Sequence, residues 1–502
     1  MLFNSNAFYV FLPIVFAIYW LTPPKHRWGV LLVSSYYFYM SANASYIFLI
    51  LLTTAVSYTT ALILEKTENP KKRKLCIWTA LVVCLGLLFF FKYFNFLSKS
   101  LVSLLKSVSI SMSPVTLNLV LPVGISFYTF QTLGYVIDVY KGRTKACRHF
   151  GKYAAFVSFF PLLLAGPIER AEHLMPQMEK EHSFDCDKAI RGAKLIAWGY
   201  FKKIAIADVL SSSVDIVYNQ VTNFTGLALG VATFFYAFQV YCDFSGYTDI
   251  ALGSAKVLGI NLTQNFKAPY LASSIKDFWG RWHISLSSWL RDYIYIPLGG
   301  SRVGKIRHAL NIMITFLISG LWHGASWNYI LWGGIHGIYQ IIEGFFPWNA
   351  KTSPFQRNRY YHFLLSIITV PFTFMLVCFA WIFFRAATIQ DGIYVLKNMM
   401  VEYGKYLGLN TDDIKLNFNE YMFDYTSKIK LDEIEKAMRE QQKEKESDEE
   451  IHSPYTRVTP KEKTLPYILS AVVIIILVVL VLIWSIKQIT VNGSSSIIGF
   501  LD

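Results

Sequence analysis

The chain has 502 residues, 54% hydrophobic and 17% aromatic, with a mean hydropathy of +0.38 and a formal net charge of +14. A soluble globular chain is about 45–50% apolar, so this composition points away from an ordinary water-soluble domain and toward a bundle of membrane-spanning helices. The basic residues form short clusters between apolar runs, Lys25–Arg27, Lys71–Lys74 and Lys141–Arg148, a placement that fits the positive-inside rule and argues against a nucleic-acid partner.

The first apolar run, Phe8–Leu21, lacks a basic start and a small-residue cleavage site, so it reads as an anchor that stays in place. Further spans are predicted at Trp28–Met40, Tyr46–Leu64, Ile77–Phe94, Leu119–Val139, Tyr153–Ala165 and Ile190–Ala207. They continue at Leu227–Tyr241, Thr248–Ile260, Ala309–Leu321, Trp327–Gly344, Phe363–Phe384 and Tyr467–Trp484. Several are shorter than the ~20 residues of a simple span. Short, Gly- and Pro-broken segments suggest re-entrant pieces around a cavity, where protein or water satisfies the irregular backbone. With Lys71–Lys74 in the cytoplasm, counting spans in both directions puts the other two basic clusters there as well and the N-terminus outside.

Three regions follow: a transmembrane catalytic core over 1–397, a charged polar insert over 398–465 that is helical or disordered, and a C-terminal anchor with a short tail over 466–502. Cys76, Cys84, Cys147, Cys186, Cys242 and Cys378 are scattered with no CxxC pair, so neither a disulfide framework nor a metal site is expected.

Chemistry concentrates in the middle of the chain. Tyr241–Gly300 sets Asp243, Ser245, Asp249, Asp277, Arg281, His283, Arg291 and Asp292 among apolar residues. Ionisable groups at membrane depth are costly and usually line a polar cavity. Asp243 and Asp249 are expected to pair with Arg281 or Arg291. Tyr293 and Tyr295 read as packing residues. Next, Ile318-Ser-Gly-Leu-Trp-His323-Gly-Ala-Ser-Trp327 places a histidine between two apolar runs, with Gly320 and Gly324 allowing close approach to it. Desolvation disfavours an imidazolium, so an imidazole in a dry pocket is neutral and can take a proton from a hydroxyl or thiol. The competing reading makes His323 a packing residue bonded to a carbonyl. On one continuous helix His336 would point away from His323, and packing or tunnel lining is favoured for it. There is no GxSxG elbow, HExxH pair or P-loop.

Seven segments carry a family resemblance: Met1-Leu-Phe-Asn-Ser5 with Phe11-Leu-Pro13; Leu121-Pro-Val-Gly-Ile-Ser-Phe-Tyr-Thr-Phe-Gln131 with Ala165-Gly-Pro-Ile168; Asp243-Phe-Ser-Gly-Tyr-Thr-Asp249; Phe278-Trp-Gly-Arg-Trp-His283; and Leu321-Trp-His-Gly-Ala-Ser-Trp327. Up to about Phe384 the chain resembles the membrane-bound O-acyltransferase family, in its bacterial alginate O-acetyltransferase branch. The resemblance implies an all-α polytopic fold, a ring of transmembrane and re-entrant helices around a central tunnel, in the cell membrane. It implies catalytic roles for His323 and His283, with Trp279, Arg281, Trp282, Trp322 and Asp243 as candidate substrate-binding residues. Acetyl-coenzyme A would be the donor substrate, with no bound cofactor and no metal. A cell-surface polysaccharide would be the acceptor, and an extracytoplasmic esterase-like (SGNH) partner would finish the transfer. D-alanyl transfer to teichoic acid is the close rival and a transporter the distant one, the latter disfavoured because the chain shows no repeated halves.

Overall fold

A computed structural model describes residues 1–110, 112–345 and 359–406, all within the compact unit Met1–Gly408. The rest of the insert and the predicted anchor Tyr467–Trp484 lie outside the described residues. Every regular element among the described residues is helical.

The first half contains α1 (Asn6–Leu21), α2 (Arg27–Met40), α3 (Ile47–Lys66), α4 (Pro70–Leu88) and α5 (Phe94–Ser107), then α6 (Ile125–Tyr140), α7 (Phe150–Ser158), α8 (Phe160–Leu163) and α9 (Ala171–Glu179). The second half contains α10 (Cys186–Tyr200), α11 (Asp208–Tyr218), α12 (Leu227–Val257), α13 (Ile275–Arg281) and α14 (Ile284–Leu290). It ends with α15 (Lys305–His323), α16 (Trp327–Phe345), α17 (Arg359–Arg385) and α18 (Ile389–Tyr406). Three π-helical turns, Phe89–Tyr93, Phe201–Ala207 and Arg291–Tyr295, continue α4, α10 and α14 without a break. Among the described residues four stretches are long and apolar enough to cross a bilayer: Ala44–Lys66, Pro70–Ser107, Leu227–Val257 and Ser366–Arg385.

The start of α4 shows local sequence at work. Asn69 accepts hydrogen bonds from the Lys71 and Lys72 amides, and Pro70 occupies the first helical position, where a missing N–H costs nothing. Contacts at their edges link the segments that carry the three basic clusters. Arg73 donates to the Tyr140 carbonyl at 2.7 Å, and the Trp28 ring lies 4.7 Å from His149. The residues at the chain's start are also structural. Phe3 is fully buried against Phe8 and Phe38, and its carbonyl accepts from Tyr200.

Two expected boundaries change. Leu227–Tyr241 and Thr248–Ile260 are not separate spans but one 31-residue helix, α12. The polar stretch between them stays helical because its charges are met from the side. Lys203 lies 2.6 Å from Asp243 and Lys202 lies 2.6 Å from Asp249, both lysines on the turn Phe201–Ala207. Neither aspartate pairs with an arginine as expected; Arg281 pairs with Asp277, and Arg291 with Asp292. Glycines let α10 approach α12 this closely: a Cβ on Gly199 would stand 2.7 Å from the Gly246 carbonyl, and one on Gly192 2.9 Å from that of Gly253. Leu119–Val139 also shortens, since α6 begins only at Ile125 after Gly124, whose φ of 73° is left-handed.

Candidate active site

His323 is the last residue of α15, and Gly324 ends the helix with extended backbone. The chain then turns straight into α16, so the two helices form a tight hairpin. A Cβ on Gly320 would lie 2.1 Å from the Tyr329 carbonyl, and one on Gly333 2.2 Å from that of Phe316. The same contacts exclude larger residues here, which fixes where α15 stops and where the imidazole hangs.

His283 arrives differently. It precedes α14 with a left-handed backbone, φ 44° and ψ 53°, a conformation costing a non-glycine residue about 1–3 kcal/mol and held only where surroundings over-determine it. Here they do. The Ile284 amide donates to the Asn265 carbonyl, the Ser285 amide to Asn265 Oδ1, and Ser285 Oγ accepts from the Ile168 amide. The motifs around Ile168 and His283 are thereby bolted together.

The two imidazoles lie side by side, their ring centroids 6.3 Å apart. Aromatic rings enclose them. Trp322 is 5.8 Å from His283 and 5.0 Å from His323, Phe244 is 4.7 Å from His283, and Trp332 and Phe384 are 5.1 and 5.4 Å from His323. Among the described residues neither nitrogen of His283 has a hydrogen-bond partner, nor do His323 Nε2, Trp322 Nε1, Trp332 Nε1 or Asn265 Nδ2. Buried polar atoms in native proteins are nearly always bonded, so this cluster of unused donors and acceptors is unusual. His283 and His336 are fully closed off, whereas His323 retains accessible surface. No carboxylate pairs with either candidate histidine among the described residues.

The remaining predicted site residues divide. Trp322 joins the two histidines directly. Trp282 stands one layer back, packed on Phe266, Phe278 and Trp381. Trp279 donates to His336 Nδ1 at 3.3 Å and lies 5.8 Å from Trp332. Arg281 and Asp243 are not brought to the histidines; each is partly exposed and occupied by its ion pair. His336 reaches the same aromatic cluster through Trp332, 5.1 Å away, because the break at Gly324 separates its helix from that of His323. Tyr293 donates to Asp138 at 2.5 Å. A cavity of about 360 Å³ lies elsewhere, lined by Lys145, Arg148, Glu172 and Glu179 among others, and neither histidine lines it.

Sequence reasoning missed Lys92. It lies on the π-helical turn after α4, and its ammonium donates to the Trp322 carbonyl and to Ser126 Oγ. The signal was available, since Lys92 is the only charged residue between Leu75 and Ser98.

Helices long and apolar enough to cross a bilayer, with two histidines brought together among aromatic rings, define an all-α polytopic membrane protein with a candidate site in its interior. Residues 148–386 match the membrane-bound O-acyltransferase family. The probable alginate O-acetylase AlgI of Pseudomonas aeruginosa is 38% identical over 395 residues, covering 78% of this chain and 73% of that protein. The peptidoglycan O-acetyltransferase of Helicobacter pylori is 34% identical over 435 residues, 80% of each chain. The teichoic acid D-alanyltransferase of Bacillus subtilis is 29% identical over 279 residues, 53% of this chain and 69% of that one. The chain belongs to the membrane-bound O-acyltransferase family and is an integral-membrane O-acyltransferase.

Proposed function

We propose that this enzyme takes an acetyl group from cytoplasmic acetyl-coenzyme A and delivers it across the membrane for O-acetylation of an extracytoplasmic polysaccharide, with an esterase-like partner completing the transfer outside. The observation carrying this reading is the pair of unbonded imidazoles in one aromatic chamber, of which His323 alone retains accessible surface. Similarity to two O-acetylating relatives supports acetyl as the group moved.

In the proposed step, His323 accepts the proton of an acceptor hydroxyl as the oxygen attacks the thioester carbonyl. The carbonyl π electrons move onto its oxygen, and His283 donates a hydrogen bond to the charge that develops there. Collapse reforms the carbonyl and breaks the carbon–sulfur bond. The proton held by His323 passes to the departing sulfur, leaving an O-acetyl ester, free coenzyme A thiol and a neutral imidazole. Aromatic walls exclude water that would otherwise hydrolyse the thioester. Trp322 lines this space; Trp279, Trp282, Arg281 and Asp243 are assigned to supporting the chamber and its approach.

The test is thiol release from acetyl-coenzyme A by the full-length chain in liposomes, alongside acetate on the isolated glycan. His323→Ala should lower both by about 10³-fold or more while the protein still inserts and elutes as one folded species. Normal acetylation in that variant would end the assignment. Turnover only with a D-alanylated carrier protein would move the donor to the chemistry named for the Bacillus relative.

A further inference from the structure

A helix leaves its last four carbonyls without intrahelical partners. In α15 these include the carbonyls of Gly320, Leu321 and Trp322, immediately before His323. The Gly324 amide takes the first at 3.4 Å. The other two are taken by consecutive residues of a different helix: Tyr93 Oη donates to Leu321 at 3.1 Å, and Lys92 Nζ donates to Trp322. Both come from the π-helical turn Phe89–Tyr93.

Lys92 is not a routine ion-pair residue. The ammonium's remaining contacts are Ser126 Oγ at 3.1 Å and the faces of Trp322 and Tyr93, 5.5 and 5.7 Å from the ring centroids. Among the described residues no carboxylate pairs with it, whereas Lys202 pairs with Asp249 and Lys203 with both Asp208 and Asp243. A lysine inside an apolar span is expensive, and a neutral side chain could satisfy a single carbonyl. A cation does suit the negative end of a helix. What it holds here is the turn from which the His323 side chain departs.

We infer that Lys92, aided by Tyr93, is a positioning residue for acyl transfer: it clamps the C-terminal turn of α15 so that the His323 ring is held toward its reacting partner. The inference rests on the reading of His323 as the base. Lys92 does not touch the reacting atoms; it acts through the Trp322 carbonyl, and Ser126 ties the ammonium to the start of α6. A displacement of about 1 Å at such a ring costs on the order of 10²-fold in rate.

The experiment measures steady-state thiol release from acetyl-coenzyme A by the full-length chain in liposomes, for Lys92→Met, Lys92→Arg, Tyr93→Phe and His323→Ala. Lys92→Met should lower kcat about 100-fold with the donor KM within about twofold. Lys92→Arg, which keeps a donor at that carbonyl, should recover to within about tenfold of wild type, and Tyr93→Phe should lose about fivefold. If Lys92→Met fails to insert, the Arg and Phe variants carry the test with the same kcat-against-KM split. A kcat within threefold of wild type in Lys92→Met, or in both substitutes if it does not insert, overturns the clamp. So does a fall that merely follows the folded fraction and is not rescued by Arg. An inactive His323→Ala beside an active Lys92→Met removes the clamp alone. An active His323→Ala removes the base on which the clamp depends.

Discussion

Two neighbouring residues on α12 face opposite worlds. Asp243 is partly exposed and held by Lys203, while the Phe244 ring packs T-shaped against a fully buried His283 that has no hydrogen-bond partner among the described residues. The ion-paired belt of Asp243, Asp249, Lys202 and Lys203 is polar chemistry already satisfied. The aromatic chamber of His283 and His323 is polar chemistry left open. The contrast teaches that, inside a membrane protein, the count of charged residues is a poor guide to a candidate site; a cluster of unbonded polar groups is what sets this one apart.

The largest expected effect, the loss of transfer in His323→Ala, falls on the open side. On the satisfied side the damage should be to folding. Lys202→Met strands Asp249 and removes a donor from Ser245, and should cost about 3 kcal/mol, read as a lower Tm in detergent. Adding Asp249→Asn should recover most of it; no recovery would mean the belt is not a pair. His283→Gln keeps a hydrogen-bonding side chain but loses the ring, and should reduce kcat about 100-fold with Tm nearly unchanged. A Tm collapse without a kinetic defect would move His283 to the structural side.

The smallest effect concerns His173, outside the spans. Its Nδ1 lies 2.7 Å from buried Glu169, and that hydrogen bond raises its pKa above the ordinary value near 6.5, with burial opposing. A raised folded-state pKa gives stability fully present below about 6.5 and lost as pH climbs through the folded value. The Tm gap between wild type and His173→Gln should therefore be widest below about pH 6.5 and shrink above it. The ring is nearly half exposed, so the gap is small. A gap that widens with pH would reverse the sign.

The helical class and the membrane-spanning character were legible because apolar runs, basic clusters and short motifs are local signals, and the motif around residue 323 marked a candidate for the same reason. What was not legible depends on distant partners. Nothing near Asp243 announces that Lys203, forty positions earlier, would meet it and keep α12 continuous. His336 needed the break at Gly324, which turns a phase argument for one helix into a question about two. Lys92 was visible inside Ile77–Phe94, and its meaning required the end of α15, more than two hundred residues away.

The π-helical turns have a consequence for chain length. Each amounts to one surplus residue absorbed into a helix, and the first two present Lys92, Lys202 and Lys203. Deleting a single residue at either would let the backbone relax to ordinary α-helix with the flanking turns still in register, and would remove the widened turn that presents these lysines. Codon losses there should therefore act on the lysine contacts to the end of α15 and to Asp243 and Asp249 rather than on the helices beyond.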